Sequence, residues 1–261
     1  MTVQVKLGRK PAVIDARVPF LHEVVDLSVL PAAPAEVNWY AGVEETTNGW
    51  QMLGNDTVGD CVQAAAMHLL QSMSNYAGRP LVPTKAETLQ AYSESTGYVP
   101  GDPSTDQGTV VLGPGGFMEY WLKTGLPIAG GRNKIAGFVQ IKPEHLDIAV
   151  HLFGGALRGI NLPANVVAGN TVPYGWGDPK GPVAGGHEVV ELGYFLIGAD
   201  RASPIISWGE RYQGTQAFMT AVTEEICCVV DPAAMNARGV NADGINLAAI
   251  SNAMDALRAT A

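Results

Sequence analysis

The apolar residues of this chain change their spacing once, and that change limits the folds open to it. Between Cys61 and about residue 155 they fall at helical intervals; beyond Ala156 they come in short runs bounded by turn residues. After Cys61, the residues Val62, Ala65, Ala66, Leu69, Met73 and Tyr76 recur at three and four, the period of a helix with one buried face. Asp60 stands where an N-cap would, and Gly78-Arg79-Pro80 supplies a stop. A second helix is expected over 116–124, where Phe117, Tyr120, Trp121 and Thr124 share a stripe, and a third from Pro143 to Phe153. The segments 156–162, 188–197, 204–208, 215–220 and 225–230 read as strands, with Gly198-Ala199-Asp200 as a hairpin connection. Leu247, Ile250, Met254 and Leu257 share one face of a terminal helix. Helices first and strands second predict an α+β protein with two lobes and a cleft between them. The expected divisions are an N-terminal arm over 1–49, punctuated by prolines, a helical lobe over 50–155, a β lobe over 156–245 and the terminal helix over 246–261.

Composition narrows the functional classes. A formal charge of -9 and no run of Lys or Arg leave no electrostatic footprint for a phosphate backbone or an anionic lipid surface, so neither nucleic acid nor a membrane is expected as a partner. Only 16% of residues are charged, against roughly 25% in an average soluble protein. A surface that poor in charge suits burial in an assembly as well as a sticky monomer. The first fifteen residues lack the apolar stretch of a signal peptide, and three cysteines are too few for a disulfide framework, so a reducing compartment is expected.

The chemistry-bearing feature is the turn-rich loop from Gly54 to Asp60, which delivers Cys61 to the first turn of an apolar helix. Unpaired N–H groups and the positive end of the helix dipole stabilise a thiolate there. A lone cysteine in that place is more often a small buried hydrophobe, so a partner is needed. Of the five histidines, His68 lies two turns along the same helix, about 10 Å away by helix rise. His22 sits in the arm, and His145 and His151 fall inside the third helical pattern. His187 differs, because Gly185-Gly186-His187 opens the apolar run 188–192 and places an imidazole at a strand mouth. Cys227 and Cys228 are expected to be strand core with one of them facing inward; adjacent cysteines do not have zinc-site spacing.

The run from Gly185 to Gly209 resembles the papain superfamily of cysteine peptidases. There a Gly-His, an apolar strand, a Gly-Tyr, a hairpin and a Ser-Trp-Gly follow in order, matched here by Gly186-His187, Gly193-Tyr194 and Ser207-Trp208-Gly209. Val37-Asn38-Trp39 is similar to the start of mature enzymes of that family. Gly54-Asn55-Asp56, Gly59-Asp60-Cys61 and Asp106-Gln107-Gly108 are similar to papain-like proteins of bacteriophages and their bacterial hosts. The similarity runs from about residue 34 to 230, and the spacing of Cys61 and His187 is near the roughly 130 residues typical of the family.

The resemblance implies a papain-like fold, the Cys61 helix lobe followed by an antiparallel β lobe. Cys61 is its nucleophile and His187 the partner, and Asn55 stands where the family has a Gln of the oxyanion hole. The asparagine that orients the family's histidine falls just before Ser-Trp-Gly, where this chain has Ile206. Ser207 and Asp200 are the neighbours that could orient the ring, and Trp208 could shield it. The implied activity is cleavage of peptide or amide bonds in a peptide or protein substrate through a thioester acyl-enzyme, with no cofactor and no metal. The alternative, favoured by the lost orienter and the charge-poor surface, is a catalytically weak or inactive papain-like structural or assembly protein of a bacteriophage particle, with homo-oligomer or virion contacts. The expected location is the bacterial host cytoplasm or the virion.

Overall fold

The computed structural model describes residues 5–30, 32–169 and 175–231, with single positions 234, 252, 254 and 255 beyond. The expected terminal helix therefore lies almost wholly outside the described residues.

Three short elements come first: α1 (Leu21–Val24), β1 (Val37–Asn38) and α2 (Val43–Thr47). They are followed by α3 (Cys61–Tyr76) and α4 (Lys85–Thr96). The apolar period of α3 predicts one buried face, but every residue from Cys61 to Ser74 is buried. The reason is packing on all sides, with α2 and α4 against part of the helix and the sheet described below against the rest. Most of its polar side chains find partners there, although Gln71 Oε1 and His68 Nδ1 are buried without one. Gln63 Nε2 donates to Ser95 Oγ at 3.0 Å and Thr109 Oγ1 at 3.1 Å, Gln71 Nε2 to Thr47 Oγ1 at 2.6 Å, and Ser72 Oγ to the Trp39 carbonyl at 2.6 Å. Left unpaired, each would cost about 1–3 kcal/mol. Asp60 occupies the N-cap position, yet its side chain caps nothing; it is buried, and burial pushes its carboxyl well above the usual range.

The chain continues through α5 (Phe117–Lys123), the hairpin β2 (Leu126–Ile128) and β3 (Gly131–Asn133), and β4 (Gly137–Gln140). A 3-10 turn over Pro143–His145 leads into α6 (Leu146–Phe153). After it come β5 (Ala156–Pro163), α7 (Ala164–Val167), β6 (Gly175–Trp176), β7 (Val183–Glu191), β8 (Gly193–Ile197), β9 (Asp200–Ser207), β10 (Glu210–Thr215), α8 (Gln216–Val222) and β11 (Thr223–Val230). The curled sheet runs β1-β8-β9-β7-β5-β11-β4, with β10 on β9 and β6 on β10. Helices and an antiparallel sheet make the α+β architecture that the change of spacing predicts. Among the described residues no helix is long and apolar enough to cross a membrane.

Three expectations about the strands need correction. The segment 188–197 is two strands, because at Leu192 the chain leaves one pairing for another and its N–H donates to the Pro204 carbonyl at 3.1 Å. The segment 215–220 is helix rather than strand. The Thr215 hydroxyl accepts from the Phe218 N–H at 3.2 Å, an N-cap, and Phe218, Met219 and Val222 bury one helical face. Cys227 and Cys228 are both buried, at 1% and 0% exposure. α6 packs on β11, and Glu225, on the side of that strand shared with Cys227, is covered by Arg9 of the arm.

Candidate active site

The loop before α3 is held by its own turns and by the loop after α4. Thr57 and Val58 donate to the Gly54 carbonyl at 2.9 and 3.1 Å. Asp106 Oδ1 accepts from the Gly59 N–H at 3.0 Å and from the Tyr92 hydroxyl at 2.6 Å; that hydroxyl in turn accepts from the Gly108 N–H at 3.0 Å. The Asp106-Gln107-Gly108 turn thus braces the approach to Cys61. Residue types alone did not single out Asp106 or Tyr92 for this, since the link is non-local; the turn motif itself was the only trace of it.

His187 lies in the middle of β7, opposite Ile160 of β5, and not at a strand mouth, because β7 already begins at Val183. Its Nε2 stands 2.7 Å from Ser207 Oγ. The Trp208 indole stacks on the ring at 4.5 Å and 25°. Nδ1 is buried without a hydrogen-bond partner. Ile206 pairs with Val190 in the sheet and is fully buried; Asp200 sits exposed at the hairpin end of β9. Of the three residues expected near the imidazole, the structure brings Ser207 and Trp208 to it and leaves Asp200 away. Trp208 has a left-handed backbone, φ +47°, uncommon for a bulky residue, at the bend between β9 and β10.

The sulfur of Cys61 faces the backbone N–H groups of Glu188, the residue after His187, and of Gly8. α3 packs directly on β7, so thiol and imidazole come from adjoining elements. Both are buried, at 1% and 0% exposure. Burial pushes the Cys61 thiol up to about 12, helped by Glu188, and the two N–H groups oppose it. Burial takes His187 down to about 3, with the positive charge of Arg9 acting the same way. At neutral pH the two groups are a neutral thiol and a neutral imidazole.

What covers them is the arm. Arg9 makes a parallel bridge to Thr109 of the helical side and an antiparallel bridge to Gly186 of β7. Thr109 N–H donates to the Gly8 carbonyl at 2.7 Å, Lys10 N–H to the Thr109 carbonyl at 2.8 Å, and Arg9 N–H to the Gly186 carbonyl at 3.1 Å. The arm is in effect a strand laid between the lobes. Gly8 fits because it has no side chain: a Cβ there would lie 1.9 Å from the Gly59 carbonyl oxygen. Asn55 is buried at 2% exposure, and its Nδ2 donates to the Lys6 carbonyl and to the Val58 carbonyl, both at 3.2 Å. Its amide donor is thus engaged by an arm carbonyl. Among the described residues no group of three or more His, Cys, Asp or Glu could hold a metal ion, and none of the three cysteines is in a disulfide.

No family model matches the chain, and no curated protein matches it by sequence. Solved structures do match. Xylellain, a cysteine protease from Xylella fastidiosa, superposes with a TM-score of 0.67 at 16% identity, covering 88% of this chain and 97% of that one. The Amb a 11 cysteine protease, a ragweed pollen allergen in its proform, matches with a TM-score of 0.61 at 14% identity, covering 88% and 70%. Digestive procathepsin L 3 of the Tenebrio molitor larval midgut matches with a TM-score of 0.56 at 12% identity, covering 88% and 77%. These neighbours are papain-like cysteine proteases, and the chain shares their fold.

Proposed function

We propose that the chain is a papain-like cysteine peptidase held latent by its own N-terminal segment. The observation that carries this reading is the cover on Cys61 and His187: a bridging strand of Leu7, Gly8 and Arg9 lies over adjoining thiol and imidazole elements. Once water reaches the thiol the burial penalty falls, and the first turn of α3 favours a thiolate. The proton passes from Cys61 Sγ to His187 Nδ1, the nitrogen left without a partner. The thiolate attacks the scissile carbonyl carbon, and the oxyanion is held by Asn55 Nδ2 and the Cys61 N–H. His187 returns the proton to the leaving amine as the C–N bond breaks, and water hydrolyses the thioester. Ser207 orients the ring through Nε2 in place of an asparagine, and Trp208 keeps water off its face. Substrates are peptides or proteins, and no cofactor is needed.

A second reading is an assembly protein of a bacteriophage particle in which the arm never leaves. The neutral thiol and imidazole of the covered state favour it. The test is iodoacetamide labelling of Cys61 against pH, in the full chain, in a variant with a loosened arm such as Arg9→Ala, and in that variant with His187→Ala. The peptidase reading expects slow labelling of the full chain, fast labelling well below pH 8 once the arm is loosened, and loss of that low-pH reactivity without His187. Labelling of the loosened chain that tracks an ordinary thiol overturns it in favour of the assembly protein.

A further inference from the structure

β7, β5 and β11 lie side by side, and Gly159 of β5 is paired with Glu188 on one flank and Glu225 on the other. Residues directly opposed in antiparallel strands share a face, so the sheet presents a row of glutamate, glycine and glutamate. The glycine makes the row a slot. A Cβ at Gly159 would come within 2.7 Å of Glu225 Cγ and 2.8 Å of Arg9 Cδ, because the Arg9 side chain already lies there.

Arg9 is held at both terminal nitrogens, while its Nε is buried without a partner. Its Nη2 meets Glu224 Oε2 at 2.5 Å and donates to Asn161 Oδ1 at 2.9 Å, while Nη1 meets Glu225 Oε1 at 3.1 Å and donates to the Lys10 carbonyl at 3.0 Å. The slot still has acceptors to spare. Both carboxyl oxygens of Glu188, a residue only 2% exposed, and Oε2 of Glu225 are buried without a hydrogen-bond partner. It also adjoins the reacting groups, since Glu188 follows His187 and its N–H faces the Cys61 sulfur.

We propose that this slot is the substrate side-chain subsite of the enzyme, that it selects a basic residue, arginine over lysine, and that Arg9 fills it in the latent chain. The word substrate rests on the peptidase reading; the binding of a guanidinium does not. When the arm leaves, the carboxyl groups of Glu188, Glu224 and Glu225 surround the place of the guanidinium; burial raises Glu188 and Glu225, so a cation that restores their charge is favoured there, while an apolar side chain would leave them unpaired. A guanidinium matches carboxylates with a planar fork of donors, whereas an ammonium meets them as a point charge. The backbone of the incoming peptide would pair with Gly186 and Thr109 as the arm does, the strand-addition mode of peptide capture.

The test uses the full chain carrying Arg9→Ala, or Arg9→Met if the alanine variant fails to fold. Ethylguanidinium at millimolar concentration is expected to raise its melting temperature saturably, with no rise from the neutral isostere ethylurea and none in the unaltered chain, whose slot is full. Adding Glu188→Gln and Glu225→Gln should abolish the response. An equal effect of ethylurea, or a response that survives both glutamine changes, overturns the subsite whether or not Cys61 is reactive. Where the loosened chain cleaves a peptide library, one position near the scissile bond should favour Arg over Leu by at least about tenfold in kcat/KM. A preference for Leu there also overturns the proposal.

Discussion

Gly8 is the residue on which the covered state turns. Its α-carbon passes so close to the Gly59 carbonyl that even a methyl group cannot be fitted without moving the backbone. Gly8→Ala is therefore expected to lift the arm while leaving the loop and helix of Cys61 intact, and to raise the iodoacetamide labelling rate of Cys61 by at least about tenfold. Labelling as slow as in the unaltered chain would mean that the arm does not guard the thiol. Ser207 makes a second single-residue case. It stands one place beyond Ile206, and alternation along the strand turns it toward the imidazole while Ile206 faces the sheet interior. The lost asparagine was legible in the sequence, and Ser207 and Asp200 were the two neighbours it offered for the ring. That Ser207 and not Asp200 lies against the imidazole was not, because it depends on where the β8–β9 hairpin points.

Among the elements, α3 was legible because two local signals agreed: a turn-rich approach and a sustained period of three and four. Its complete burial was not, because that comes from strands more than a hundred residues downstream. The strength of its packing can be measured at Leu69, fully buried where α3 meets the turn before β5. Leu69→Ala should cost about 2–5 kcal/mol in a denaturant titration, with little change in the slope against denaturant. α4 escaped the apolar pattern because it buries only Thr88, Ala91 and Tyr92. Its signal was polar, a reciprocal cap in which the Thr84 hydroxyl accepts from the Glu87 N–H and Glu87 reaches back to the Thr84 N–H. α8 was misread for a related reason, since the hydroxyl of Thr215 reads equally well as strand composition or as a helix cap.

At the scale of the whole molecule, the guard and the site are one chain, so the guard's local concentration is set by the connection and not by dilution. Cys61 labelling of the full chain should stay equally slow over about a hundredfold dilution; a rate that climbs on dilution would mean that arms are exchanged between molecules. The route of the arm could not be read from the sequence, because it depends on backbone bonds to Asn55, Thr109 and Gly186, which no local pattern encodes. The buried titrating groups also give the molecule a pH signature. His68 is held at about 4 by burial, below its ordinary 6.5, although its bond to the Gln51 carbonyl pulls the other way. The unfolded chain therefore takes up this proton first as the medium acidifies. The stability His68 contributes is whole above about 6.5 and is lost as pH falls toward about 4, by at most about 1.4 kcal/mol per pH unit. Asp60 and Glu188, raised by burial, act in the opposite sense, so the comparison must be between variants. Between pH 6.5 and 4 the unaltered chain should lose more stability than His68→Phe, measured by urea titration at each pH; parallel losses would mean that His68 titrates normally.

β7 carries His187 and Glu188 at consecutive positions, facing opposite sides of one strand. An insertion or deletion of a single residue upstream within that strand would swap the two, turning a carboxylate toward Ser207 and an imidazole into the acidic slot. On the peptidase reading, a substitution at 188 alone would therefore retune the slot, while any shift in the length of the strand would disable reaction and recognition together.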